Sequence, residues 1–339
     1  RDRFGPFSVG DSLRVYRLQR KGSMLDLQRG LTQPYAPLWE AWLAYLTQQA
    51  MGQPTYVLVD LQDGEGFVQV RYRPHQAAAD VAYIAPALTE GRQASQAWSR
   101  LLDGASVESA GRGIQRVFAN LPESGAEVDV FQHAGFTLYA GEDVYHLAEP
   151  ETDGRAETAA ELRRQRPDDW PAVQKLCVAI TPQRIRQMEG GIVPMTARDG
   201  SCERYVLPGN GSDEVKAAVI TCAGGLGHWM RVLIHPEVRD VADGLIQRVL
   251  AEERPTKPVF CNVRQYESGV RPALEAAGFE LMATRSLMVK HTVAWGKVPV
   301  PELASALKSS AEVVPPAYHV NGEPEFNTPE GRLAVRRDA

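Results

Sequence analysis

Two short sequence patterns occur twice in this chain, in the same order and at almost the same spacing. Val117-Phe-Ala-Asn120 returns 142 residues later as Val259-Phe-Cys-Asn262, and Ala134-Gly-Phe-x-Leu138 returns 143 residues later as Ala277-Gly-Phe-x-Leu281. Ordered echoes at a nearly constant spacing indicate an internal duplication in which each repeat is one structural unit. The sequence therefore predicts two copies of a domain of roughly 145 residues.

The length and the composition agree with two folded domains. The chain has 339 residues, of which 44% are hydrophobic and 23% are charged, as in ordinary globular proteins. The formal net charge of −5 provides no overall positive field, so neither nucleic acid nor an anionic membrane surface is an expected partner. No apolar run approaches the roughly 20 residues that a membrane-spanning helix needs.

The four cysteines are Cys177, Cys202, Cys222 and Cys261. They form no Cys-x-x-Cys pair, and they are not grouped with histidines at the spacing of a zinc site. This pattern favours buried, reduced thiols. We therefore expect a soluble cytoplasmic protein that binds no metal.

Hydrophobic periodicity predicts a similar order of elements in each half: a strand, helices, a hairpin, a strand, a helix, a strand, a helix and a final strand segment that begins with Gly-Phe. In the first half, the opening strand is predicted at residues 13–19, a helix at 21–32 and a closing hairpin at 135–139 and 143–147. In the second half, the opening strand is predicted at 161–166. This order indicates an α/β protein with a mixed sheet.

An apolar strand followed by an amphipathic helix is predicted at residues 228–250. Met230 to Ile234 is an apolar run broken only by Arg231, and Gly244 opens the helical pattern. Small residues in the intervening turn let backbone N–H groups approach a ligand closely, and the helix N-terminus adds partial positive charge. The stretch is therefore a candidate phosphate-binding corner. The alternative is an ordinary strand–turn–helix corner without a ligand.

The segment Ile234-His-Pro236-x-x-Arg239-x-x-Ala242-x-Gly244 resembles the pyrophosphate-binding signature of the GNAT superfamily, the acetyl-CoA-dependent N-acetyltransferases. The element order also resembles this family over residues 13–291, and the duplication is similar in organisation to mycothiol synthase-type acetyltransferases. The resemblance implies two tandem GNAT-like domains with a mixed α+β sheet. It also implies acetyl-CoA as co-substrate and direct transfer of the acetyl group to an amine.

The resemblance assigns cofactor contacts to the second copy. Leu233 and Ile234 would offer strand backbone to the pantetheine, Arg239 would lie beside the phosphates, and Asn262 would make a polar contact. The pyrophosphate would accept hydrogen bonds from backbone N–H groups of Val241, Ala242, Asp243 and Gly244. Two of these residues have an alternative, purely structural interpretation, in which Asp243 caps its own helix and Asn262 caps a loop by hydrogen-bonding to its backbone.

The motif departs from the family in both copies. In the second copy, Ala242 stands where the first glycine is usual, and Asp240 and Asp243 add carboxylates near the supposed phosphates. In the first copy, Thr89 and Arg92 replace the Arg/Gln and the first glycine. We therefore predict that the first copy is mainly structural or shapes the acceptor site.

The residues for proton transfer are marked less clearly. The family often has a tyrosine four residues before the Gly-Phe to protonate the leaving thiolate, but the two copies have Phe131 and Leu274 there. Tyr266 is our candidate acid, and His228 is our candidate base because imidazole titrates near neutral pH. A packing tyrosine and a structural histidine are the alternatives.

The predicted domains are a degenerate GNAT-like domain at residues 1–148, a polar linker at 149–160, a GNAT-like domain with the acetyl-CoA site at 161–291 and a Pro-rich extension at 292–339. The favoured function is N-acetyl transfer to a small-molecule or peptide amine by the second copy. The alternative is a catalytically degenerate tandem GNAT-like protein with a ligand-binding or structural role. The expected assembly is either a monomer whose two copies form a pseudo-dimer or a homodimer.

Overall fold

A computed structural model describes residues 3–292 except 61–63, 75, 91, 151–161, 190–201, 210, 212–213 and 268. These residues form a mixed sheet of 13 strands flanked by helices, and they belong to one unit of mutual contacts, Arg1–Ala294. Most of the predicted linker at 149–160 and the predicted extension from residue 293 onwards lie outside the described residues.

The strands of the first half are β1 (Arg3–Pro6), β2 (Ser23–Met24), β3 (Thr55–Asp60), β4 (Gly64–Tyr72), β5 (Ala78–Ala85), β6 (Arg116–Pro122) and β7 (Thr137–Leu147). Those of the second half are β8 (Arg163–Arg164), β9 (Cys202–Pro208), β10 (Val215–Ala223), β11 (His228–Ile234), β12 (Val259–Arg264) and β13 (Glu280–His291). The strand predicted at 161–166 is thus shorter than expected.

The helices of the first half are α1 (Ser12–Leu18), α2 (Leu27–Thr32), α3 (Pro37–Leu46), α4 (Arg92–Gly111) and α5 (Ala126–His133). Those of the second half are α6 (Trp170–Ile180), α7 (Gln183–Glu189), α8 (Ala242–Glu253) and α9 (Arg271–Ala276). The repeated motifs fall on β6 and β12 and on the α5–β7 and α9–β13 connections. The duplication seen in the sequence is therefore also present in the fold.

The strand order across the sheet is β1-β3-β4-β5-β6-β13-β7-β12-β11-β10-β9-β8, with β2 added to the edge of β5. The neighbours β5 and β6 are parallel, and so are β11 and β12. Each half packs a helix against its own strands. Trp98 of α4 is fully buried in the first half, and Leu245, Ile246 and Val249 of α8 are buried in the second.

The final strands of the two halves are exchanged. β13 of the second half pairs with β6 of the first, and β7 of the first half pairs with β12 of the second. β7 and β13 also pair with each other in an antiparallel register. Each half is therefore completed by a strand from the other half, and this exchange joins the two halves into one continuous sheet.

The closing hairpin predicted at residues 135–139 and 143–147 is wrong, because these residues form the single 11-residue strand β7. The strand continues because β12 and β13 supply partners along both of its edges, so it does not fold back on itself. Gly141 lies within β7 and is not a turn residue. A Cβ atom there would lie 2.2 Å from Cδ of Gln265, so glycine permits that side chain to approach closely.

The opening strand predicted at residues 13–19 is also wrong, because Ser12–Leu18 is helix α1. Leu13 and Val15 alternate as in a strand, yet Val15 is buried while Leu13 is 67% exposed. Val15 and Leu18, three residues apart, instead share the packed side of the helix. The helix predicted at 21–32 is wrong over its first six residues, because Ser23 and Met24 pair with β5 as β2 and helix α2 begins only after its N-cap Asp26.

The expectation of four reduced cysteines is wrong for two of them. Cys202 and Cys222 lie directly opposite each other in β9 and β10 and form a disulfide. The sequence spacing hid this pairing because only the register of the two strands brings the residues together. Cys177 and Cys261 are buried and free. Among the described residues, none of the helices combines the length and apolar character needed to cross a bilayer.

Candidate functional site

The parallel strands β11 and β12 separate part-way along their length. Residues 228–231 of β11 pair with residues 259–262 of β12, and among the described residues this pairing ends at Arg231. On that side, residues 232–234 have no strand partner in the part of the chain that the structure describes, although β10 pairs with them on the other side. Such an edge presents N–H and C=O groups to which an extended ligand can hydrogen-bond.

The corresponding edge in the first half is covered by the chain itself. β5 pairs with β6 only over residues 78–80, but β2 then pairs with Tyr83 and Ile84. The N–H groups of Leu25 and Asp26 both donate to the carbonyl oxygen of Ala82, at 2.9 and 3.0 Å. The two halves therefore differ at this strand edge, which β2 covers in the first half.

The corner between β11 and α8 is a 3-10 turn, Pro236–Val241, that leads directly into the helix. The N–H of Ala242 donates to the carbonyl oxygen of Arg239, so that amide already has a partner. Ala242 and Gly244 are buried, whereas Arg239 and Asp243 are exposed. The side chain of Arg239 lies over Gly269, because a Cβ on that glycine would come within 2.6 Å of Nε of Arg239.

A cavity of about 270 Å³ lies beside the separated ends of β11 and β12. It is lined from the second half by Arg231, Leu233, Asn262 and Arg264, and from the first half by residues of β4, β5, β6 and α2. The exchanged strands contribute further lining residues, among them Glu142 of β7. Both copies therefore enclose the same space.

Charged side chains on the cavity wall are arranged in ion pairs. In the second half, Arg231 pairs with Glu267 at 2.6 Å and donates to the carbonyl oxygen of Asn262 at 2.8 Å. Burial opposes the charge on Arg231, but the neighbouring Glu267 favours it, and the pKa of Arg231 is raised above its ordinary value. This pair spans the point at which β11 and β12 separate.

The first half contributes a second group of ion pairs to the cavity. Arg71 pairs with both Asp26 and Asp80, and Arg73 pairs with Asp80 at 2.6 Å. The guanidinium of Arg73 also lies 4.2 Å from the ring centre of Phe118, a cation–π contact. Burial lowers the pKa of Arg73, but Asp80, Tyr139 and Glu189 together raise it, and the pKa lies above its ordinary value.

The buried carboxylate of Glu142 is the centre of a polar cluster that joins the two copies. Its Oε1 accepts a hydrogen bond from Nδ2 of Asn120 at 3.2 Å, and its Oε2 accepts from Nδ2 of Asn262 at 2.9 Å. Oε2 also lies 3.1 Å from Nε of Arg264. Arg285 donates from Nε to Oδ1 of Asn120 at 2.8 Å, and burial lowers the pKa of Arg285 to about 10.

No protein-family model matches this sequence, and neither does any curated protein. The structure is similar to that of a GCN5-related N-acetyltransferase from Sphaerobacter thermophilus, with a TM-score of 0.54 and 16% identity over 86% of this chain and 96% of that chain. It is also similar to a tandem GNAT protein from the clavulanic acid biosynthesis pathway, with a TM-score of 0.51 and 13% identity over 86% and 99% of the two chains. The chain has a tandem GNAT fold.

Within this tandem GNAT fold, the predicted cofactor residues lie in two places. Leu233 and Asn262 line the cavity. The others lie at or beyond the C-terminal end of β11, and these are Ile234, Arg239, Val241, Ala242, Asp243 and Gly244. Nδ2 of Asn262 donates to Glu142, and its Oδ1 has no hydrogen-bond partner among the described residues.

The two residues predicted to transfer protons, Tyr266 and His228, lie in different places. Tyr266 lines the cavity, and burial raises the pKa of its hydroxyl, which keeps it protonated at neutral pH. His228 begins β11, where it pairs with Val259, and it is not among the cavity-lining residues. Burial lowers the pKa of His228. Phe131 and Leu274 are fully buried, so both positions serve packing.

The sequence patterns did not identify the charged residues that shape the cavity. Arg231 is the one charged residue in the apolar run of β11, and this interruption is the sequence feature that could have marked it as a functional residue. Glu142, Arg264 and Glu267 gave no comparable signal, because their partners are far away in sequence. Among the residues that the structure describes, no group of three or more His, Cys, Asp or Glu side chains is placed to hold a metal ion.

Proposed function

We propose that this chain is an acetyl-CoA-dependent N-acyltransferase that works through its second half. The observation that supports the proposal is the difference between the two strand edges. In the first half β2 occupies the edge of β5, whereas the edge of β11 that faces β12 has no strand partner over residues 232–234 among the described residues. Within that part of the chain, the second edge is therefore the one accessible for hydrogen bonds to an extended pantetheine arm.

The residues at the β11–α8 corner match some of the contacts that acetyl-CoA needs, but not all of them. In this proposal the backbone of Leu233 and Ile234 holds the pantetheine, and the exposed guanidinium of Arg239 pairs with the pyrophosphate. Among the backbone donors expected at the corner, that of Ala242 is already bonded, so the N–H groups of Asp243 and Gly244 at the start of α8 carry this role. The carboxylate of Asp243 opposes the bound phosphates, which weakens binding.

The reaction is proposed to be direct transfer, for which acetyl-CoA supplies the acyl group. The acceptor nitrogen forms a bond to the thioester carbon, the carbon–sulfur bond breaks, the nitrogen loses one proton and the thiolate gains one. In this proposal Tyr266 gives that proton. Its place in the cavity lining and its raised pKa, which keeps the hydroxyl protonated, support this role. His228 is not among the described residues that line the cavity, so in this proposal a proton path to it runs through water.

A ligand-binding protein without transfer activity is the second candidate. Two observations favour it: the Arg231–Glu267 pair bridges the point where the strands separate, and the amide of Ala242 is not free. Both features reduce the space and the donors available to a cofactor.

Calorimetric titration with acetyl-CoA, together with the thermal shift it causes, tests the proposal. The wild type should bind, Arg239→Gln should bind at least several-fold more weakly, and Arg248→Gln, an exposed arginine further along α8, should bind normally. Thr89→Glu, at the corresponding corner of the first half, should also bind normally. Absence of binding at millimolar acetyl-CoA would rule out the enzyme, and a loss confined to Thr89→Glu would assign the site to the first half.

A further inference from the structure

Two buried polar atoms that belong to residues lining the central cavity have no hydrogen-bond partner among the described residues. They are Nη1 of Arg264, a donor, and Oδ1 of Asn262, an acceptor. Both residues line the cavity. Buried polar groups are nearly always paired, so a donor and an acceptor left over in one cavity indicate what its ligand supplies.

The guanidinium of Arg264 is held in place by its other nitrogens. Nε pairs with Glu142 and Nη2 pairs with Glu189, each at 3.1 Å. These two carboxylates fix the orientation of the group and leave Nη1 on its remaining side. The natural partner of a charged, immobile N–H group is an anionic oxygen, such as that of a carboxylate.

A second cation reinforces this end of the cavity. Arg186 also lines the cavity, and it is three residues from Glu189 on α7, which places the two side chains on the same side of the helix. Glu189 pairs with Arg264, and Arg186 lines the same cavity. No ion pair of Arg186 is found within the described part of the chain. Its charge therefore adds to the attraction for an anion.

The spacing of the two unpaired atoms limits the ligand. Asn262 and Arg264 are two residues apart on β12, so their side chains leave the same face of the strand roughly 6–7 Å apart. A ligand that bridges them needs a donor and an anionic oxygen on neighbouring atoms. The cavity of about 270 Å³ is of a size that suits a small-molecule ligand.

We propose that this cavity binds a small α-amino acid, with its carboxylate at Arg264 and Arg186 and its α-amino group at Oδ1 of Asn262. The identity of this compound as the acyl acceptor rests on the proposed function, whereas its binding rests on the cavity alone. If transfer occurs, the α-amino nitrogen beside β12 is the atom that is acylated.

Calorimetry without acetyl-CoA tests the ligand class, using L-alanine and L-aspartate as probes. The α-amide and the N-acetyl derivative of each probe remove one of the two charged groups and should bind about tenfold more weakly or worse. Arg186→Gln should weaken binding several-fold, while Arg184→Gln, an exposed arginine on the same helix, should not. Arg264→Lys keeps the charge but removes Nη1, and it should also weaken binding.

Amides or simple amines that bind as tightly as the amino acids would overturn the inference, as would no binding at 10 mM of either probe. An equal effect of Arg184→Gln and Arg186→Gln would also contradict it. The outcomes separate the two proposals. Amino acid binding without any acetyl-CoA binding would contradict the proposed N-acyltransferase activity and support the amino acid site. Acetylation of amines that lack a carboxylate would support the activity and contradict the amino acid site.

Discussion

Glu142 and Arg285 are corresponding positions of the two copies, and they lie directly opposite each other in the neighbouring strands β7 and β13. They are separated by the same 143 residues as Gly135 and Gly278, so the approximate twofold axis relating the copies passes between them. The first copy has a carboxylate beside this axis, and the second copy has a guanidinium. The two halves have therefore diverged at the centre of the sheet, where both contribute to the same polar cluster.

We expect Glu142→Ala to destabilise the whole sheet. Its carboxylate accepts from Asn120 and Asn262 and pairs with Arg264, and removing one member of a buried network leaves the others uncompensated, at a cost of about 3–5 kcal/mol. Urea unfolding followed by circular dichroism measures the change. Glu237→Ala, which breaks the exposed pair with Lys216, should cost far less, because solvent screens an exposed ion pair. Similar losses for the two variants would mean that the cluster contributes little.

Thiol titration should count the cysteines in three steps. Without denaturant, a thiol reagent at neutral pH should label essentially none, because Cys177 and Cys261 are buried and burial raises the pKa of Cys261 to about 12. Under denaturing conditions two thiols should react, and after reduction all four. Four reactive thiols in the unreduced, denatured protein would show that Cys202 and Cys222 are not joined.

Stability should fall at acid pH partly through Asp169. Its hydrogen bond with Arg163 lowers the pKa of the carboxyl group from 3.8 to about 2. The folded-state pKa is the lower one, so the stabilisation is present above about pH 4 and is lost as the pH falls towards 2. The pair is partly exposed, so its contribution is at most about 1 kcal/mol. Asp169→Asn should flatten this part of the curve of unfolding free energy against pH. An unchanged slope would contradict the assignment.

Asp243→Asn should tighten the binding of acetyl-CoA. The exposed carboxylate lies in the first turn of α8, where a negative charge competes with bound phosphate for the helix N-terminus. Removing it should lower the Kd about two- to fivefold, with a larger effect at low salt. Glu252→Gln, near the other end of the same helix, is the matched control. Equal effects of the two variants would place the phosphates elsewhere.

Tyr266→Phe should lower kcat by about 100-fold or more while leaving the Kd for acetyl-CoA nearly unchanged, because the hydroxyl is proposed to act in proton transfer. Tyr16→Phe, on the exposed side of α1, should have no effect. Steady-state rates with an amine acceptor and calorimetric Kd values separate the two parameters. A normal kcat for Tyr266→Phe would exclude this residue as the acid.

The local sequence determined much of this protein. The duplication, the order of most elements and the β11–α8 corner could all be predicted, because they depend on repeated motifs, hydrophobic period and turn residues that lie close together in the chain. The GNAT-like fold followed from the same short segments. Local pattern was misleading where it was short, as in α1, whose alternating Leu13 and Val15 fit a strand as well as a helix.

The tertiary structure alone decided the rest. The exchange of β7 and β13, the opposition of Cys202 and Cys222 and the coverage of β5 by β2 each depend on which strand edge meets which partner, and no local propensity encodes that choice. The same is true of the cavity, where Asn120, Glu142 and Asn262 meet across the two copies. Buried charges can be tolerated only where distant partners arrive to neutralise them, so these residues acquire their roles from the folded chain as a whole.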